Sequence, residues 1–203
     1  MIFIRSVPSR RLGNYRNYRS QLRLDFQNRC AYCLTHEYFL GSDANFAIDH
    51  RKPRNGKYAR RELENDYANL YWTCNECNQN KADNWPSEEE RLEGFDWIDP
   101  CVEEGDHNLH WLISSNGSIQ WITPIGEYTV KKLMLHRRDW LRRYWARLSV
   151  WQDMQISLVD ILATKDLQDE LREVIELQLI ALKDLISPPV FDRPRKRSKT
   201  VDV

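Results

Sequence analysis

This sequence of 203 residues lacks several features that mark large functional classes. It contains no run of about 18 apolar residues that could cross a bilayer, and its N-terminus, MIFIRSVPSRR, has too short an apolar stretch for a secretory signal. Its seven glycines include no Gly-x-x-x-x-Gly-Lys-Ser/Thr segment, so it has no nucleotide-binding loop of the NTPase type. We therefore expect a cytoplasmic protein that does not contact a membrane.

The sequence also has no excess of charge of either sign, since 30 Lys and Arg residues balance 30 Asp and Glu residues. The charges are nevertheless segregated. Residues 1–61 hold 13 basic residues against 4 acidic ones, and residues 62–110 hold 2 against 14. The basic stretches could form an anion-binding face, or neighbouring segments could neutralise one another in the fold.

Cysteine is scarce, but four of the five cysteines form two Cys-x-x-Cys pairs, Cys30/Cys33 and Cys74/Cys77. Two thiolates at this spacing can bind one metal ion from a single turn, and a second pair completes the tetrahedron that zinc prefers. In a reducing compartment this pattern favours zinc over disulfides. We expect Cys101 to be a small buried residue and not a ligand.

Between the cysteine pairs lie the residues that suggest chemistry. Asp49-His50 follows the strand-like run Phe-Ala-Ile, which we expect to be the second strand of a short hairpin, and Asn78 follows the last cysteine. His50 is the natural general base near neutral pH. Asp49 and Asn78 offer hard oxygen ligands for one magnesium or other divalent cation. We expect Asn69 to fix the loop that carries His50.

A basic loop, residues 51–61, lies directly after His50. It has no apolar periodicity, and we expect Arg51, Lys52 and Arg54 to contact nucleic-acid phosphates. Lys81, one helical turn after Asn78, could contact a phosphate or could simply be a solvated helix lysine.

The rest of the sequence predicts mainly helices. Residues 14–28 have apolar side chains at helical spacing, and residues 109–125 form a hairpin pattern around Asn116-Gly117. Residues 129–150 predict one basic helix and residues 166–187 an acidic one, which we expect to form an antiparallel pair. The proline-rich basic tail predicts disorder. We predict one domain at 1–110 that contains the N-terminal helix and the cysteine pairs, a hairpin plus helical pair at 111–187, and a disordered tail at 188–203.

The order Cys-x-x-Cys, Asp-His, Asn-Leu, Cys-x-x-Cys-Asn-x-x-Lys resembles that of the HNH endonucleases, which have a zinc-stapled ββα-metal core. Here the three motif positions are His50, Asn69 and Asn78, an H-N-N variant that is also similar to the HNH domain of RNA-guided CRISPR nucleases. The resemblance implies an α+β fold with flanking helices and metal-dependent cleavage, of DNA rather than RNA, that leaves 5′-phosphate and 3′-hydroxyl ends.

A weaker resemblance continues through Ile98-Asp99-Pro100-Cys101 and Asp106-His107 to the helix at Thr129. It is to the HNH nucleases of bacterial anti-phage systems of the Septu and retron kind, and it implies an ATPase partner protein. The competing interpretation of the chain is a non-catalytic zinc-ribbon module that binds nucleic acid or a protein.

Overall fold

The computed structural model describes residues 2–6, 8, 12–164 and 167–186. Within these residues the fold is α+β, as the sequence predicts, with two separate two-stranded antiparallel sheets and six α-helices. The predicted tail, 188–203, lies outside the described residues. None of the described helices is long and apolar enough to cross a lipid bilayer.

The N-terminal helical segment begins with a 3-10 turn, Tyr15–Tyr18, and continues as α1, Arg19–Asp25. Asn14 caps the turn by accepting a hydrogen bond from the backbone N–H of Arg16. Tyr18, Leu22 and Phe26 are buried, in agreement with their helical spacing. This buried side anchors the first cysteine turn, which begins four residues later.

The central sheet pairs β1, Phe46–His50, with β2, Leu70–Cys74, so that Phe46 faces Cys74 and His50 faces Leu70. The expectation that Asp49-His50 ends the second strand of a hairpin is wrong, because β1 is the first strand of this pair. The preceding residues instead form 3-10 turns at Glu37–Leu40 and Asp43–Asn45. Gly41 between them has a φ of +92°, which turns the chain away from an extended path.

Helix α2, Asn75–Lys81, follows β2 directly and begins before Cys77. The Sγ of Cys74 caps it by accepting from the backbone N–H of Cys77. The helix ends at Lys81, because the next residue, Ala82, has a φ of +46°. A short helix α3, Glu88–Leu92, then begins with a capping box between Ser87 and Glu90.

The second sheet is the predicted hairpin, with β3, Trp111–Ile113, paired to β4, Ile119–Trp121. Gly117 in its turn has a φ of +78°, and a Cβ at this position would lie 1.8 Å from the carbonyl oxygen of Arg142. Glycine is therefore required both for the turn and for the close approach of the neighbouring helix.

The C-terminal part contains α4, Pro124–Lys132, α5, Asp139–Leu162, and α6, Asp169–Ile186. The single basic helix predicted for 129–150 is wrong, since the chain breaks at Met134 (φ +55°) and forms a 3-10 turn at Leu135–Arg137. Helices α5 and α6 pack against each other as a hairpin, as expected.

One hydrophobic core extends from the N-terminal segment to the C-terminal helices. It includes Phe3 and Trp72 as well as Leu133, Leu141 and Trp145. The first two turns of α5 thus complete the core around the central sheet, and the proposed division at residues 110 and 111 stays a prediction.

Candidate active site and metal centre

The four paired cysteines converge on one point. Cys30 and Cys33 lie on the turn after α1, Cys74 ends β2, and Cys77 lies in the first turn of α2. All four are buried, and their Sγ atoms all lie within 4.8 Å of one another. Four thiolates about 2.3 Å from a tetrahedral zinc would be about 3.8 Å apart, and the Sγ atoms of Cys33 and Cys74 are 3.9 Å apart. The cluster therefore fits one zinc ion.

The electrostatics of the cluster also favour a cation. Burial raises the pKa of the Cys33 thiol, but hydrogen bonds from the other three cysteines and Thr35 outweigh it and hold that pKa well below its usual value. Burial raises the pKa of Cys77 well above its usual value. Without a metal ion, the pKa of one thiol is lowered and that of another is raised, so the four sulfurs do not all ionise together. A divalent metal ion would stabilise all four as thiolates.

Arg138 supplies positive charge beside this cluster, a position that sequence reasoning missed. Its Nη1 donates to the Sγ of Cys77 at 3.2 Å, and its Nε lies 3.0 Å from the Oε1 of Glu76. Nη2 donates to the carbonyl of Leu133, just before the break between α4 and α5. Arg138 lies within the single basic helix predicted for 129–150, but the break at Met134 turns it to a buried position. Cys101 lies outside the cluster and is partly exposed.

Asp49 and His50, at the end of β1, have different surroundings, as expected for adjacent strand residues. The Oδ2 of Asp49 accepts from the hydroxyl of Tyr32 at 2.6 Å, and its Oδ1 accepts from the Nζ of Lys81 at 3.1 Å. Burial, followed by the charge of Asp49, raises the pKa of Tyr32 well above its usual value, which keeps this donor protonated. Asp49 therefore lies between two hydrogen-bond donors.

His50 is held by its Nε2, which lies 2.9 Å from the carbonyl oxygen of Glu64. A carbonyl can only accept, so Nε2 carries the proton and Nδ1 keeps its lone pair. The ring also packs edge-on against Tyr15, with centroids 4.8 Å apart. Burial lowers the pKa of His50, and the charge of Arg54 contributes to the lowering. The imidazole is thus neutral near pH 7, with one nitrogen available as a base.

Asn69 connects the segments on either side of the long loop. Its Oδ1 accepts from the backbone N–H of Lys52 at 2.8 Å, and its Nδ2 donates to the carbonyls of Lys52 and Leu63. Its own carbonyl accepts from the backbone N–H of Arg51. These contacts are the kind that a loop-fixing residue makes.

A cleft of about 180 Å³ lies against the end of β1 and α2. Its lining includes Asp49, His50 and Asn78 together with Tyr15, Arg54, Asn55 and Asp83. The cleft thus brings together three of the predicted catalytic residues. It also contains Asp83, a carboxylate that the sequence pattern did not single out. A larger cavity, of about 530 Å³, contains none of the predicted site residues.

The expected phosphate contact of Lys81 is wrong for this structure. Lys81 is fully buried, and its Nζ donates to Asp49 and, at 2.8 Å, to the carbonyl of His50. The solvated alternative is equally wrong. Lys81 instead binds the Asp49-His50 pair from inside the protein. A buried ammonium group must be paired with acceptors, and these two residues supply them.

The three basic residues after His50 are also engaged to different degrees. Arg51 donates to the carbonyl of Trp97 and lies 3.6 Å from Asp99, so it is mostly committed within the protein. Arg54 pairs with Glu64 at 2.8 Å and lies over the ring of Tyr15. Lys52 is partly exposed. Their binding to nucleic acid stays a prediction.

Comparison with known proteins gives one result that bears on this site. No curated protein and no solved structure matches the chain significantly. Residues 30–84, which contain the four-cysteine cluster, Asp49, His50, Asn69 and Asn78, match the family model described as HNH endonuclease.

Proposed function

We propose that this protein is a metal-dependent endonuclease that hydrolyses phosphodiester bonds in DNA. The observation that carries the proposal is the state of His50, whose Nε2 is fixed by the carbonyl of Glu64 while its ring lines the cleft. A general base for water needs an oriented, neutral nitrogen with a free lone pair, and Nδ1 meets that requirement. The match of the surrounding residues to HNH endonucleases supports the same conclusion.

The proposed reaction assigns roles to His50 and to the two residues that position it. His50 takes a proton from a water molecule whose oxygen attacks phosphorus, while the bond from phosphorus to the 3′ oxygen breaks. The products are a 5′-phosphate and, after protonation of the leaving oxygen, a 3′-hydroxyl. Asn69 holds the loop after His50 in place, and Lys81 holds the main chain of His50.

Asp49 and Asn78 would hold a magnesium ion or another divalent cation. A carboxylate and an amide oxygen are ligands that such hard cations prefer, and each oxygen of Asp49 keeps a lone pair beyond its one recorded hydrogen bond. When bound, the cation supplies positive charge for the phosphoryl oxygens and the leaving oxygen. Zinc at the four cysteines would be structural, since four protein ligands leave no open position.

DNA would bind mainly through its phosphates. The basic loop after His50 presents Lys52 and Arg54, with Lys57 exposed at its tip. Such contacts are independent of sequence and weaken as salt increases. Arg51 contributes less than expected from the sequence, because it is already paired with Asp99.

The test is cleavage of plasmid DNA by the purified, zinc-loaded chain with and without magnesium. We expect His50→Ala to abolish nicking while leaving zinc content and DNA affinity nearly unchanged, because only the base is lost. The matched control is His136→Ala, at an exposed histidine far along the chain, which should cleave like the wild type. Undiminished nicking by the His50→Ala protein would place the chemistry elsewhere. Tight binding with no cleavage in any condition would favour the non-catalytic zinc-ribbon module.

We also propose a setting for this activity, which rests on the weaker resemblance alone. In this proposal the chain is an effector of a bacterial anti-phage defence system, works beside an ATPase partner, and lies in the cytoplasm, where reducing conditions keep zinc-binding thiols free of disulfides. Co-purification with the product of an adjacent gene tests the partner. The absence of any partner, together with cleavage that needs no second protein, would contradict it.

A further inference from the structure

The hairpin of α5 and α6 extends well beyond the hydrophobic core. The buried residues of α5 are Leu141, Tyr144 and Trp145, and none of its described residues after Trp145 is buried. A helix of 24 residues is about 36 Å long, so more than half of α5 projects past the core. Only the base of the hairpin is needed to complete this chain's own fold.

The two helices hold each other by one narrow seam. From Trp151 to the end of α5 the least exposed positions are Trp151, Gln155, Leu158 and Leu162, and those of α6 are Arg172, Ile175, Leu179, Leu182 and Ile186. Both sets alternate steps of three and four residues, which is the pattern of a two-helix antiparallel coiled coil. Arg29 fixes the pairing at the base, since it donates to both the hydroxyl of Tyr144 and the carbonyl of Ile186.

A second apolar surface lies beside this seam, and we call it the outer face. It consists of Met154 and Ile161 on α5 with Leu171, Val174, Leu177 and Leu185 on α6, each between 42% and 60% exposed. Met154 and Ile161 each come one residue before a seam position of α5, and Leu171 and Leu185 each come one residue before a seam position of α6. In an antiparallel pair, residues that precede the seam on either helix lie on the same flank. The outer face exposes roughly 600 Å² of apolar surface, the upper end of what monomers usually expose.

Charge is arranged along the outer face with opposite signs at its two ends. The base carries Arg143 and Arg147 and one acidic residue, Asp184, all of them exposed. The tip carries Asp160 and Glu170, also exposed. A surface that is basic at one end and acidic at the other is complementary to a second copy of itself in antiparallel orientation. The acidic tip would instead be repelled by an anionic membrane surface.

We propose that the outer faces of two copies of this chain pack together by a two-fold axis, with the base of each hairpin against the tip of the other. In such an isologous interface every contact occurs twice, so the pairs formed by Arg143 and Arg147 with the partner's tip occur at both ends. About 600 Å² from each copy gives a total near the lower limit for a specific interface. The four helices then form a bundle around an apolar centre.

The mass of the full-length, zinc-loaded chain in solution tests this assembly by sedimentation or light scattering. We expect twice the chain mass, falling to one chain on dilution. Replacing Ile161 and Leu171 together by Glu should give one chain mass at every concentration. The matched control replaces Ile156 and Ile180, which are 61% and 59% exposed on the opposite flank, by Glu and should keep the double mass. Circular dichroism should show unchanged helix content in both.

A charge-exchange experiment tests the orientation without altering apolar residues. Arg143→Glu with Arg147→Glu should give a single-chain mass, as should Asp160→Lys with Glu170→Lys in a second protein. Mixing the two proteins should restore a two-chain species, because base and tip are again complementary. A single-chain mass for the wild type, loss of the dimer in the control, or no recovery on mixing would overturn the proposal. So would a different protein, such as an ATPase, that binds the outer face of a monomeric chain.

Discussion

The buried ion pair between Lys81 and Asp49 leads to a prediction about stability. The prediction distinguishes a buried Lys81 from the exposed lysine that the sequence pattern predicts. Replacing Lys81 with Met keeps the unbranched side chain, one atom shorter, and removes its ammonium group. The carboxylate of Asp49 would then be nearly inaccessible to water, with the Tyr32 hydroxyl as its remaining recorded donor. The carbonyl of His50 would also lose its 2.8 Å donor.

Breaking a buried pair on one side typically costs about 3–5 kcal/mol, because an uncompensated charge is left behind. For a chain of this length each kcal/mol lowers the melting temperature by about 2–4 °C, so Lys81→Met should lower it by roughly 6–20 °C. Exposed substitutions away from such features usually cost less than about 0.5 kcal/mol. The predicted effect is therefore several times larger than the effect expected for a solvated lysine.

The assay is thermal and urea unfolding of the zinc-saturated protein, with Asp49→Asn and the double variant completing a cycle. The double variant should be more stable than the sum of the single losses implies, since it leaves no unpaired charge. A Lys81→Met protein within 0.5 kcal/mol of the wild type, with weaker and less salt-dependent DNA binding, would refute the reasoning and restore the phosphate contact.

Three further predictions concern the metal centre and a buried histidine. The pure protein should contain about one zinc per chain, and Cys77→Ser should unfold it, because such sites supply on the order of 10 kcal/mol, whereas Cys101→Ser should keep the metal. Arg138→Gln should speed the loss of zinc to a chelator, because the cluster loses the charge 3.2 Å from Cys77. Burial, then the charges of Arg29 and Arg23, lower the pKa of His36 to about 4. Below pH 6.5 His36 is therefore protonated in the unfolded chain but stays neutral in the native state. The free energy of unfolding should decrease as the pH is lowered, by about 1.4 kcal/mol from pH 7.5 to pH 5.5. His36→Gln should lack this part of the fall.

The controls follow from the same contacts. Metal analysis that finds no zinc in well-folded protein would overturn the four-cysteine site. Equal rates of zinc loss from wild type and Arg138→Gln would mean that the guanidinium does not stabilise the cluster. For His36, the comparison is of urea unfolding at the two pH values, and equal losses in wild type and variant would assign the pH dependence to other groups.

The local pattern of the sequence was sufficient for the parts of this protein that depend on neighbours along the chain. The Cys-x-x-Cys pairs predicted the cluster because each pair needs only one tight turn. The hairpin around Gly117 and the acidic amphipathic helix were confirmed for the same reason, since turn chemistry and apolar periodicity are local properties. The order of motif residues was sufficient to suggest a resemblance to the HNH endonucleases, whose family model matches residues 30–84.

Tertiary structure decided the features that join residues far apart in the chain. Strand β1 pairs with a segment twenty residues later, so no local pattern could give its partner. The sequence predicts Lys81 as a surface cation and Arg138 only as part of a basic helix, but both are buried because Asp49 and Cys77 offer them negative partners from other elements. The same holds for the helical hairpin, whose periodicity predicts two amphipathic helices. Only the position of the core shows that apolar residues such as Met154 and Leu171 stay exposed in the described part of the chain.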